Sequence, residues 1–322
     1  MEGRPLWYFK GGPDPSSGDW IEYRDIEMEI IENGYQRKQS EVCLDKYRID
    51  LKEFIQFHRN NPSKQRSVKR QLGSKREECL REERFFSLSP TNSTSSYGRL
   101  HDWCPFLKEW LALPAGKKAL LDFSSVLDIC IEGILKEAEL HESNSRTEAE
   151  WMVEKLRACK GKSRRVLSET CIHLYTRESF LYLVLNTALR DTDLSKLETL
   201  GPLCFLIRDH SRFCKQYTGT VYRGMQLSHD AILSYKNAIG TWRTWHGYTS
   251  TSRNKEMAAI RGNTIFIIEI ISGQLGAPRS YDIKDISQFP SEEEVLLPAG
   301  ISFQIISVDQ DEQQKYIIKI KV

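Results

Sequence analysis

In the stretch FPSEEEVLLPAG, residues 289 to 300, three consecutive carboxylates stand directly before an apolar run closed by Pro298 and Gly300. In an extended segment residues two apart share a face, so Glu292 and Glu294 are expected to point together while Glu293 turns away. Two carboxylates aimed at one cleft, anchored by Val295, Leu296 and Leu297, could stabilise developing positive charge and take up a proton. The alternative is a solvated acidic turn ahead of a buried strand. Upstream, Val221, Tyr222, Arg223 and Gly224 put an arginine on a short strand beside a glycine. Its rigid fork matches phosphate oxygens better than a lysine does; a salt-bridged surface arginine is the competing reading. The run GYTSTSRNKEMAAI offers hydroxyls at Thr249, Ser250, Thr251 and Ser252 before a candidate helix. Capping by Ser252 or Asn254 accounts for part of it. Ser250, two residues earlier and still extended, is placed to orient a carboxylate.

Other chemistries find no support. Neither a P-loop nor a GxGxxG fingerprint occurs, so a nucleotide would need another kind of cleft. Seven histidines are scattered without a triad signature. Eight cysteines, at 43, 79, 104, 130, 159, 171, 204 and 214, form no CxxC pair and no zinc-spaced cluster. Surroundings such as LDICIEG predict buried thiols, and no metal is expected. A formal charge of +2 does not by itself imply a nucleic-acid partner. Residues 59 to 84 nevertheless carry nine lysines and arginines against four glutamates.

The elements that must position these groups divide the 322 residues in two. Residues 5 to 60 read as a small aromatic-rich unit of short strands plus a helix. Trp7, Tyr8, Phe9, Trp20 and Tyr23 flank a turn-rich loop; IEMEIIENGY and SEVCLDKYRIDL are read as further strands, and LKEFIQFHRN as the helix. Composition shifts at NPSKQRSVKRQLGSKREE and again at SLSPTNSTSSYG, where a linker is expected. From about 101 to 215 the period is helical; after Gly219 strands follow, interrupted by a helix at LSHDAILSYKNA. This is an α+β pattern without βαβ rhythm. The start lacks an apolar secretory core and no run could span a bilayer. An intracellular protein, cytoplasmic or nuclear and without a membrane partner, is expected.

The Arg223 strand, YTSTS and SEEEVLLP, in that order, resemble the arginine, serine and glutamate-x-glutamate triad of arginine-directed mono-ADP-ribosyltransferases. YTRESFLYLVLNTALR, residues 175 to 190, resembles the helix that precedes the sheet in that family. The resemblance implies a helical first half and a split, mixed β-sheet core over 101–322. It implies NAD+ as ADP-ribose donor, with Arg223, Gly224, Tyr248, Ser250, Thr251 and Glu294 contacting it. Glu294 would be the catalytic glutamate, Ser250 would position it, and Glu292 would face the acceptor arginine of a protein substrate. Glu293 would be a bystander. Tyr281 or Phe289, in the loop before the glutamates, could touch the acceptor; packing is the alternative for Phe289. Tyr248 could stack near nicotinamide or pack the sheet.

Trp7, Trp20, Glu32 and YRIDL resemble a WWE domain, giving domains at 1–75 and 101–322 with a basic, Ser-rich linker at 76–100. Such domains bind poly-ADP-ribose through its iso-ADP-ribose unit. Tyr23, Tyr35, Gln56, Arg66 and Arg70 are the ligand candidates carried over; Trp7 and Trp20 are read as core. A monomer is expected. A glycohydrolase with weak transfer, or a silent ADP-ribose reader, are the competing functions.

Overall fold

The computed structural model describes residues 5–12, 18–73, 104–141, 145–260, 262–271, 280–312 and 314–322. The expected linker at 76–100, Cys79, Trp103 and part of the loop before the glutamates lie outside them. Contacts group the chain into two compact units.

The first unit is built on six strands: β1 (Pro5–Lys10), β2 (Trp20–Glu22), β3 (Glu41–Cys43), β4 (Tyr47–Asp50), β5 (Ile55–His58) and β6 (Asn61–Leu72). They form an antiparallel sheet in the order β2-β1-β6-β5-β4-β3. The basic run read as a change of composition is therefore the longest strand of this sheet. Helix α1 (Asp25–Gln36) occupies the segment read as a strand. Its Ile26, Met28 and Ile30 alternate as in a strand, but Ile31 and Gly34 extend the buried face at helical spacing. Glu27 also closes the first turn, accepting the Arg24 N–H at 3.1 Å. The helix expected over LKEFIQFHRN is instead a turn followed by β5. Its apolar residues mimic a helical face, yet the residue that points inward is Gln56, 1% exposed, which pairs with Tyr23. Trp7 and Val68 enter the core with Ile31 and Ile49. Trp20, expected there, is 37% exposed and lies under the ammonium groups of Lys10 and Lys69.

Residues Leu135–Lys155 and Arg177–Phe180 belong to the same unit. Arg177 donates to Asp25 at 3.1 Å and Glu29 at 3.4 Å, and Thr147 donates from N and Oγ1 to Asp45. Glu148, also buried, accepts the Phe180 N–H and lies 3.9 Å from Arg24.

The remaining residues make the second unit. Its helical part runs through α2 (Pro105–Ala112), α3 (Pro114–Leu121), α4 (Val126–Leu140), α5 (Arg146–Arg157), α6 (Arg164–Tyr175), α7 (Phe180–Asp191) and α8 (Leu197–Asp209), α4, α5 and α7 being shared with the first unit. Close packing is visible at Gly201, where a Cβ would collide with the Trp110 ring. The strands are β7 (Gly219–Met225), β8 (Trp242–Trp245), β9 (Thr249–Ser252), β10 (Thr264–Ile270), β11 (Tyr281–Asp282), β12 (Glu294–Leu297), β13 (Ile301–Gln310) and β14 (Tyr316–Lys321), with short helices α9 (His229–Asn237) and α10 (Lys255–Ala259). Their order is β11-β12-β9-β7-β10-β14-β13-β8, with β10 and β14 parallel and the other neighbours antiparallel. The sheet is mixed and split: β7 and β9 share one register pair, Tyr222 with Ser252. Five described cysteines are buried. Among the described residues no helix is long and apolar enough to cross a membrane.

Candidate active site

Glu294 is the first residue of β12. Val295 and Leu297 enter the core beside Val221 and Phe266, so alternation turns Glu294 and Leu296 to the opposite face. Ser250 on β9 is the register partner of Leu296 and shares that face. Its Oγ donates to Glu294 Oε1 at 2.5 Å. Ser287, in the loop between β11 and β12, donates to Oε2 at 2.9 Å and accepts the Phe289 N–H at 3.2 Å. Glu294 is 1% exposed, a buried carboxylate directed on both oxygens. Arg223 reaches across the split in the sheet, donating from Nη1 to the Ser250 carbonyl at 2.8 Å. Arginine, serine and glutamate, distant in sequence, thus meet through two hydrogen bonds.

Glu292 and Glu293 are arranged by a turn rather than by strand alternation. Pro290–Glu292 is a single 3-10 turn, and Glu293 follows in the left-handed region at φ 46°. Only Glu294 begins the strand, so the two-residue spacing is not what aims Glu292. Glu292 is buried, and its carbonyl accepts Ser252 Oγ at 2.7 Å. Glu293 turns out to Lys284, 2.7 Å away, whose ammonium holds its carboxyl below the usual carboxylate range. Ser252 is therefore a strand tie; Asn254 caps α10.

Several of the expected contact residues make bonds within the protein. Thr251 lies on the core side of β9 and donates to the Val295 carbonyl at 2.6 Å, a tie between strands. Tyr248 is 5% exposed, with its hydroxyl donating to the Cys204 carbonyl of α8 at 3.0 Å and its ring edge-on to Tyr175 of α6. Burial pushes that phenol well above its ordinary value. Gly224 is buried opposite Ile265 in β10. Tyr281 and Phe289 are buried as well. Sequence reasoning missed Ser287: a lone serine in a polar loop carries no spacing that couples it to Glu294.

In the first unit the five ligand candidates separate into two groups. Tyr23 donates to Gln56 Oε1 at 2.6 Å, and both are buried; Arg66, register partner of Gln56, donates to the Lys10 carbonyl and lies over Phe9. Burial, then Glu27, raises the Tyr23 phenol above its ordinary value. Arg70 and Tyr35 stand with Trp7 and Glu32 instead. Arg70 grips Glu32 with Nε and Nη2, both at 2.9 Å, beneath the Tyr35 ring, and Trp7 Nε1 donates to Glu32 at 2.8 Å. Burial opposes ionisation of Glu32, but bonds from Arg70, Gln36 and Trp7 prevail and hold it below its ordinary value. Tyr35 is exposed and Arg66 and Arg70 are half-buried, whereas Tyr23 and Gln56 are buried.

The NAD:arginine ADP-ribosyltransferase family matches residues 128–321, the span that contains all three site elements. The chain belongs to that family. The WWE domain matches residues 5–70 of this ADP-ribosyltransferase family member. A protein of Mycobacterium avium (strain 104), named as an NAD(+)–arginine ADP-ribosyltransferase, Mav, is 35% identical over 100 residues. Those residues are 30% of this chain, which spans 11% of that relative's length. Among solved structures, ADP-ribosyltransferase HopU1 of Pseudomonas syringae pv. Tomato DC3000 is 21% identical, covering 53% of this chain and 82% of its own, with a TM-score of 0.42. Exoenzyme S from Pseudomonas aeruginosa, in complex with human 14-3-3 protein beta and bound to Carba-NAD, is 19% identical, covering 61% and 88% with a TM-score of 0.41.

Proposed function

We propose that this protein transfers a single ADP-ribose from NAD+ to arginine side chains of proteins, releasing nicotinamide. The observation that carries the reading is the linked set Arg223, Ser250 and Glu294, a buried carboxylate held by a serine whose backbone is held by the arginine. Arg223 is suited to NAD+ phosphates because its planar fork pairs with such oxygens. Glu294 is suited to the positive charge that develops on the ribosyl carbon as its bond to nicotinamide breaks, the electron pair leaving with nicotinamide. An acceptor guanidinium is protonated in water and must lose a proton as its nitrogen forms the new bond. Glu292, buried and two residues from Glu294, is assigned to bind it and take that proton.

The first unit is assigned to iso-ADP-ribose or poly-ADP-ribose, which would bring the transferase to modified targets. Arg66, half-buried, and Tyr35, exposed, would supply phosphate and base contacts, while Arg70 is held by Glu32. Tyr23 and Gln56 would shape the floor from beneath.

Incubation with labelled NAD+ and a mixed protein lysate, followed by mapping of modified residues, tests the catalytic assignment. Label on arginines is expected. Nicotinamide release without protein label would make the enzyme a glycohydrolase, and neither product would leave the first unit as the functional part. For the second assignment, iso-ADP-ribose is titrated calorimetrically into the full chain and its Arg66→Ala variant. Equal heats would remove Arg66 from the site.

A further inference from the structure

We infer that Ser287 is a second positioning residue for Glu294, fixing the plane of its carboxylate and tying it to the seat of the β11–β12 loop. The inference rests on the transferase reading. One hydroxyl on one oxygen leaves a carboxylate able to swing about its terminal bond; a second donor on the other oxygen fixes the plane. Ser250 and Ser287 supply those donors from different parts of the chain, at 2.5 Å and 2.9 Å.

The Ser287 hydroxyl is not needed to close its own turn. The Ser287 backbone N–H already donates to the Ile283 carbonyl at 2.7 Å, as does that of Ile286 at 2.9 Å. Its oxygen accepts the Phe289 N–H, which directs its single proton toward Glu294. The residue is 5% exposed, so water does not readily replace a lost donor. The loop around it is seated on the end of α6. His173 Nδ1 lies 2.9 Å from the Ile286 carbonyl, and Thr176 Oγ1 accepts the Gln288 N–H at 3.0 Å. The residues on either side of Ser287 are therefore held by the helical part, and Ser287 transmits that position to Glu294. A loop displaced at α6 would rotate the catalytic carboxylate.

Steady-state nicotinamide release by the full chain is compared for wild type, Ser287→Ala and Ser287→Thr, with thermal unfolding of each. Ser287→Ala is expected to lower kcat by roughly 10- to 100-fold while KM for NAD+ moves less than about twofold. Hydrolysis and transfer should fall together, because both use Glu294, and Ser287→Thr should recover most of the loss. An unchanged kcat in Ser287→Ala overturns the inference. A second measurement does not need turnover: unfolding midpoints of Ser287→Ala, Glu294→Gln and the double variant. Non-additive shifts support the Ser287–Glu294 bond; additive shifts overturn it. A wild-type chain that releases no nicotinamide refutes the transferase reading, and this second measurement still decides the bond.

Discussion

Glu32 in the first unit and Glu294 in the second are both carboxylates held on both oxygens, but the holders differ in kind. Glu32 is gripped by the Arg70 guanidinium, with Trp7 and Gln36 adding donors. A guanidinium matches a carboxylate in shape and cancels its charge, so the group becomes a pin between α1, β1 and β6. The serines on Glu294 supply direction without supplying charge. A carboxylate oriented by hydroxyls keeps a field that can act on a cation forming in front of it. The two sites share one anion and differ in whether the holder neutralises it.

The largest expected effect follows from removing that field. Glu294→Gln keeps shape and one acceptor, and should lower nicotinamide release and arginine transfer alike by on the order of 1,000-fold. A variant retaining a tenth of the activity would erase the distinction between the two glutamates. Glu292→Gln should cost arginine transfer about 100-fold and hydrolysis far less; equal losses would sink the division of labour between Glu292 and Glu294.

Glu32→Gln should instead destabilise the first unit by roughly 1–3 kcal/mol in chemical denaturation and leave nicotinamide release unchanged. The pH response sharpens the contrast further within that unit. The Glu32 value is depressed, so its stabilisation is present above the ordinary carboxylate range and is lost as pH falls. Glu148 runs the other way. Burial pushes its carboxyl from 4.5 up to about 7, against the pull of Arg24. Its contribution is complete below 4.5 and is lost as pH rises through about 7. Glu148→Gln should therefore match wild type near pH 4 and exceed it near pH 8, by at most about 3 kcal/mol. A pH-independent difference between the two would contradict the burial cause. The smallest effect is expected at Glu293, whose pair with Lys284 is about 40% exposed on both sides. Glu293→Ala should shift stability by under about 0.5 kcal/mol and leave transfer within about twofold.

The first unit also marks where sequence reading fails. Ile26, Met28 and Ile30 follow the period of two of a strand, and α1 was decided by Ile31, Gly34 and the Glu27 cap. β5 hides because its inward residue is Gln56, polar and satisfied by a partner 33 residues away. In the second unit most elements could be read directly. Helix α7, strand β10 and strand β14 bury apolar residues at one clear period, which local spacing reports without knowledge of neighbours.

What the sequence by itself determined are the arginine, serine and glutamate types, their order, and the apolar runs that make their strands. Tertiary structure alone decided that β9 lies between β7 and β12, and that Glu293 takes a left-handed turn which leaves Glu292 buried. It also decided that Thr251 bonds to the Val295 carbonyl and Tyr248 to the Cys204 carbonyl, and that Ser287 completes the hold on Glu294. The reason is physical. Periodicity and propensity act over a few neighbouring residues, whereas a hydrogen bond to a buried carboxylate depends on strand register and loop seating set by contacts far apart in the chain.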